Sequence, residues 1–185
     1  MVMIKNTPTA WGSLAKVLHW AGAILVIYLI GDGWWMTHML ARGGRFAAYG
    51  QHALVGYYLL FLIAIRLVWR AMNPTPALPT DTLPWERLAA HASHAALYLV
   101  TLGLSFTGWV MVGMGRRPIE ATLFGFIPVP LITRTPNKAW HDLLEDVHRL
   151  LAYLLLAIIV VHIIAAARHY FFKRNDVLQR MVWTR

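Results

Sequence analysis

Cysteine is absent from the 185 residues. That excludes disulfides, iron–sulfur clusters, thiolate zinc sites and haem attached covalently through C-x-x-C-H, and it leaves histidine as the residue able to do metal work. Acidic residues are scarce too, at eight Asp and Glu against seventeen Lys and Arg, for a formal net charge of +9. A basic chain can signal nucleic acid, but here the cations flank apolar runs and no soluble domain is left to present them, so no nucleic-acid partner is expected. Charged residues of both signs make up only 14% of the chain and 58% is hydrophobic, a composition that points to the lipid bilayer as solvent.

Four apolar runs, at about 17–37, 51–71, 89–114 and 144–172, are each long enough to cross about 30 Å of hydrocarbon. They predict an all-α membrane protein, a four-transmembrane-helix bundle forming a single domain over 1–185. Only Lys5 and Lys16 precede the first run and no small-residue cleavage site follows it, so a retained helix is expected in place of a removed signal peptide. "NPTPALPTDTLP" (73–84) cannot continue a helix and reads as the connection between spans two and three. The segment 117–138 mixes Phe, Ile, Leu and Pro and reads as a lid lying at the membrane interface. The side holding the termini and the 73–84 connection carries ten Lys and Arg, against seven on the other side. By the positive-inside rule both termini are expected in the cytoplasm.

The fourth span contains "HRLLAYLLLAIIVVH" (148–162), which begins and ends on histidine. Fourteen residues of α-helix turn about 1400°, close to four full turns, and rise about 21 Å. His148 and His162 therefore share a face near opposite edges of the apolar core. A polar side chain inside a span needs a partner on a facing helix. With alternating span directions, His52 lies at the level of His148 and His19 at the level of His162. Two transverse pairs result, each suited to hold a flat macrocycle between opposed imidazoles, as a b-type haem requires. His141 competes with His148, but it stands about 31 Å from His162 beside Asp142, Glu145 and Asp146, which favours His148. Gly22 and Gly56, beyond His19 and His52, suit either close approach of a macrocycle or tight helix packing. His91, His94 and His169 suit spare ligands, quinone hydrogen-bond donors or proton carriers, or are simple interfacial histidines, while His38 reads as a loop residue.

Several stretches resemble the bacterial cytochrome b561 family, and within it the small four-span members related to superoxide oxidase. They are "KVLHWAGA" in span one, "HALVGYYLLFLIAIRLVWR" followed by "NPTP", "AHASHAALYL" at the start of span three, and "HIIAAARHYFFKRND" at the C-terminal end. The resemblance covers nearly the whole chain. It implies two haem b groups with axial ligands His19, His52, His148 and His162, the four that depth selects. It further implies a bacterial inner-membrane location and transfer of electrons from superoxide through the haems to ubiquinone. Two positions depart from the family pattern: Trp140 and His141 form a dipeptide that elsewhere carries the outer ligand, and Arg168 and His169 stand where relatives can have paired histidines.

Under that reading a quinone slot needs a donor or proton carrier, for which His94, His169 and Arg168 are the candidates at the inner edge, and the outer face needs positive potential to draw in a small anion. Arg42, Arg45, Arg116, Arg117, Arg134 and Lys138 are the cations available there, with lipid headgroups as their other natural partners. The other reading is an electron-transfer subunit that docks a soluble redox protein, with the 117–138 lid as its docking surface. A histidine-lined transporter finds no support in inverted repeats or paired broken helices.

Overall fold

The computed structural model describes residues 3–182. Four long helices form the bundle: α1 (Ser13–His38), α2 (Arg45–Met72), α3 (Pro84–Met114) and α4 (Lys138–Phe171). All four are long and apolar enough to cross a membrane, and each contains nearly all of the apolar run expected of it. They extend past those runs wherever a polar terminus can be capped. Asn137 accepts a hydrogen bond from the Trp140 N–H (3.2 Å) and starts α4 six residues before its apolar run. Glu86 accepts one from the Leu83 N–H (3.0 Å) around Pro84, in the first turn of α3. Asn73 and Pro74 end α2 where the sequence predicts.

The helices pack in chain order: α1 lies against α2, α2 against α3, and most extensively α3 against α4. The side chains that join all four are Val26, Leu59, Ile63, Val100 and Leu155, which form one buried cluster. Leu155, only 2% exposed, lies seven residues from both His148 and His162. Val26 is seven residues beyond His19, and Leu59 seven beyond His52. Seven residues are two turns, about 10 Å. The apolar core is thus a layer at mid-height with a histidine layer on either side of it.

At one end, which we call the terminal end, the segments 3–12 and 172–182 and the 73–83 connection are knitted together. Asn6 donates to the Pro74 carbonyl (3.0 Å), Ala77 N–H to the Pro8 carbonyl (2.9 Å) and Arg180 to the Ala77 carbonyl (2.6 Å). Lys16 and Trp20 of α1 donate to the Val182 and Met181 carbonyls. Gly12 sits so close to this seam that a Cβ there would fall 2.1 Å from the Ile4 carbonyl oxygen. Glu86 closes the seam on the far side, 6% exposed and paired with Arg168 in the last turn of α4 (2.7 Å) and Lys173 just beyond it (2.5 Å).

The opposite, lid end carries the 115–137 segment. It contains a feature the sequence reading does not anticipate, a short antiparallel hairpin of β1 (Thr122–Leu123) and β2 (Ile127–Pro128). Its turn holds Phe124 at φ 54° and Gly125 at φ 78°. A left-handed phenylalanine costs about 1 kcal/mol. Docking offsets this: the Phe124 N–H donates to Tyr58 Oη (3.0 Å) and its ring meets those of Tyr58 and Phe61 on α2. Trp109 of α3 donates to the Pro130 carbonyl (2.8 Å). The chain beyond β2 crosses Gly113 so closely that a Cβ would lie 1.9 Å from the Thr133 carbonyl oxygen. The expected lid is therefore a folded element seated on α2 and α3.

Candidate functional site

The bundle brings the four depth-selected histidines together in the two pairs expected. At the lid end, His52 of α2 and His148 of α4 stand with ring centroids 6.3 Å apart and planes at 68°. At the terminal end, His19 of α1 and His162 of α4 have the same centroid separation, 6.3 Å, with planes at 56°. A metal ion ligated by one nitrogen of each ring needs centroids about 6 Å apart, from two bonds of about 2 Å and roughly 1 Å from each nitrogen to its ring centre. His141 is not in the pair; it lies two turns away beside Asp142.

Hydrogen bonds fix the tautomers at the lid end. His52 Nδ1 is 3.0 Å from Asp32 Oδ2, and a carboxylate accepts, so Nδ1 carries the hydrogen. His148 Nδ1 is 2.9 Å from Thr107 Oγ1, whose own hydrogen is directed at the Gly103 and Leu104 carbonyls (2.9 and 3.0 Å). Thr107 therefore accepts from His148. Both imidazoles keep a free lone pair on Nε2, the state in which a ligating histidine is held by its surroundings. Both rings rest on glycine: a Cβ on Gly33 would meet His52 Cε1 at 3.5 Å, and one on Gly108 would meet His148 Cε1 at 3.4 Å. This donor set fits an iron porphyrin.

The terminal-end pair differs in its company. Arg66 Nη2 donates to His19 Nδ1 (3.0 Å), and the guanidinium lies over the Tyr98 ring at 5.3 Å. Arg70 approaches the same ring at 5.9 Å. No carboxylate pairs with Arg66 among the described residues. His94 of α3 joins as a third imidazole, 5.5 Å from His162.

Of the three residues expected around a quinone, the bundle gathers only His94 with the histidine pairs. His169 hydrogen-bonds Asn175 (3.0 Å), and exposed Arg168 pairs with Glu86. Arg168 also borders an open apolar groove of about 550 Å³ formed with Ile164, Ala167, Phe171 and Phe172. Of the lid-end cations, Arg45 donates to the Thr37 and Leu40 carbonyls at the end of α1, Arg134 pairs with Glu120 and Lys138 with Asp142. Arg42 lies in the short turn Arg42–Gly44. Arg116 and Arg117 are exposed and form no ion pair among the described residues. Gly22 packs on Leu62 of α2, which is helix packing, whereas a Cβ on Gly56 would meet nothing within 4 Å. His38 is the last residue of α1 and stacks on Trp34.

Two site residues escape the sequence reading. Asp32 lies inside an apolar run, and Arg66 counts there only toward the loop charge. The available signal was the same for both, an ionisable residue at membrane depth that needs a named partner.

Residues 10–184 match the family model described as prokaryotic cytochrome b561. Cytochrome b561 homolog 2 of Escherichia coli (strain K12) is 32% identical over 178 residues, covering 96% of this chain and 93% of that protein. Cytochrome b561 homolog 1 of the same organism is 24% identical, covering 89% and 92%. A probable superoxide oxidase of Yersinia pestis is 27% identical over 170 residues, covering 89% and 91%.

Proposed function

The chain belongs to the prokaryotic cytochrome b561 family of membrane electron-transfer proteins with b-type haem, and from that premise we propose that it is a di-haem superoxide:ubiquinone oxidoreductase. The observation that carries the reading is the repeated histidine geometry: two facing pairs, each 6.3 Å between centroids, with the α4 members fourteen residues apart. His52 and His148 hold one haem and His19 and His162 the other. Bound haem supplies one-electron redox chemistry. The protein residues do the rest. Asp32 and Thr107 orient the lid-end ligands, and the apolar layer around Leu155 keeps water from the path between the two sites.

The overall reaction balances with two superoxide anions each giving up one electron to become dioxygen. One ubiquinone takes the two electrons and two protons to become the quinol. Unpaired, exposed Arg116 and Arg117 support attraction of the anion at the lid end, and the name of the Yersinia pestis relative supports the donor. The apolar groove beside Arg168 offers the quinone a slot open to lipid, with one charged donor at its edge. His94 and His169 are the candidate proton carriers. The terminal end faces the cytoplasm of a bacterial inner membrane, on the charge asymmetry of the loops.

The test is the visible spectrum of the purified, air-oxidised protein while superoxide is generated beside it, scaled to full reduction by dithionite. Reduced b-haem bands that grow quickly, and that superoxide dismutase abolishes, are expected. Bands with dithionite alone move the reading to an electron conduit serving a soluble redox protein. The exposed Phe124 and Phe126 of the hairpin favour that second reading as a docking tip, and stable co-purification with a partner distinguishes it.

A further inference from the structure

The two histidine layers are near copies in geometry and opposites in charge. At the lid end, the Asp32 carboxylate lies 3.0 Å from Nδ1 of His52. At the terminal end, the Arg66 guanidinium lies 3.0 Å from Nδ1 of His19, with Arg70 sharing its aromatic neighbour Tyr98. Neither charge is cancelled locally. Among the described residues, Asp32 has no Lys or Arg partner and Arg66 no Asp or Glu partner.

We infer that Asp32 and Arg66 tilt the electron equilibrium between the two sites, holding the lid-end haem at the lower potential and the terminal-end haem at the higher one. This rests on the haem reading above and adds an order to it. A carboxylate that accepts from Nδ1–H makes the imidazole a stronger donor through Nε2, and a stronger donor together with a nearby negative charge favours the oxidised metal. A cation beside the other pair favours the reduced metal, because the added electron is stabilised by a positive charge in a low-dielectric interior.

The arrangement at His19 also says how Arg66 acts. Ligation through Nε2 leaves the proton on Nδ1, which then cannot accept from a guanidinium. The hydrogen bond is lost on ligation, while the contact with Tyr98 retains the guanidinium in place as a cation over an aromatic face. Its charge, not its hydrogen bond, does the tuning. The result is a built-in direction: an electron accepted at the lid end finds its lower free energy at the terminal end.

The experiment is a potentiometric titration of the purified holoprotein followed in the visible bands. Haem content and the low-spin electron paramagnetic resonance signals are recorded on the same samples. Loss of one component in His148→Ala assigns the two steps. The lid-end step is expected at the lower potential. Asp32→Asn raises that step and Arg66→Gln lowers the terminal-end step, each by about tenfold in the one-electron equilibrium, about 59 mV, and each leaves the other step in place. Asp32→Glu and Arg66→Lys keep the charges and keep the wild-type order, which a purely structural role would not predict.

If Asp32→Asn releases its haem, the wild-type order still decides the matter: a lid-end step above the terminal-end step overturns the inference. So do midpoints that stay put in variants with full haem and unchanged low-spin signals, since Arg66 would then be neutralised by a carboxylate of the bound group. A protein that purifies without haem overturns the haem reading itself, and the inference with it.

Discussion

Thr107 is the smallest lever on the site. Its hydroxyl accepts from His148 Nδ1 while donating to its own helix, so Thr107→Val keeps the shape and leaves the imidazole hydrogen without an acceptor. Loss of such an orienting partner typically weakens metal affinity by about 10- to 100-fold. On the proposed di-haem reading, the lid-end haem is expected to dissociate that much more readily in this variant, measured by transfer to apomyoglobin, with the terminal-end haem retained. The site was partly legible at this scale. His19, His52, His148 and His162 could be read because depth and helix register reduce to counting along the chain. Their partners could not, because Asp32 and Arg66 meet His52 and His19 across helix interfaces whose rotation no count along one span provides.

At the scale of the element, α4 sets the spacing of the two sites. One alanine inserted between Leu155 and His162 rotates the end of the helix by about 100° and advances it about 1.5 Å. His162 then leaves the face opposite His19, while His148, on the N-terminal side, stays with His52. The expected product holds one haem in place of two, counted by pyridine haemochrome per protein. The lid offers the complementary test. Gly113→Ala puts a methyl group where the Thr133 carbonyl lies, so the segment above it must lift away. Faster protease cleavage within 115–137 and unchanged haem content are expected. The helices were legible from apolar runs and proline, because in lipid those runs must satisfy their backbone internally. The hairpin was not. Its turn places Phe124 in a conformation that local propensity disfavours, and docking on Tyr58 and Phe61 decides it.

Across the whole molecule, the terminal end is held by a seam and the lid end carries two exposed cations, Arg116 and Arg117, that form no ion pair among the described residues. Glu86→Gln breaks the pairs to Arg168 and Lys173 that join the start of α3 to the last turn of α4 and the chain just beyond it. A lower unfolding temperature in detergent is expected. At the other end, replacing both Arg116 and Arg117 with glutamine should slow the proposed superoxide oxidation severalfold at low salt and flatten its dependence on ionic strength, with haem content unchanged. An unchanged rate and salt dependence would remove these two residues from the proposed funnel.

The separation of the histidine layers also makes the molecule an electrical device. Along α4 they are about 21 Å apart, roughly two-thirds of the hydrocarbon thickness. A charge moved between them crosses that share of any transmembrane voltage, worth about 1.6 kcal/mol for each 100 mV. In the proposed orientation, with the terminal end on the negative, cytoplasmic side, an energised membrane pushes electrons back toward the lid, against the bias inferred from Asp32 and Arg66. In sealed vesicles, collapsing the voltage with valinomycin and potassium should therefore shift reducing equivalents from the lid-end haem to the terminal-end haem. The protein would then report membrane voltage in its colour.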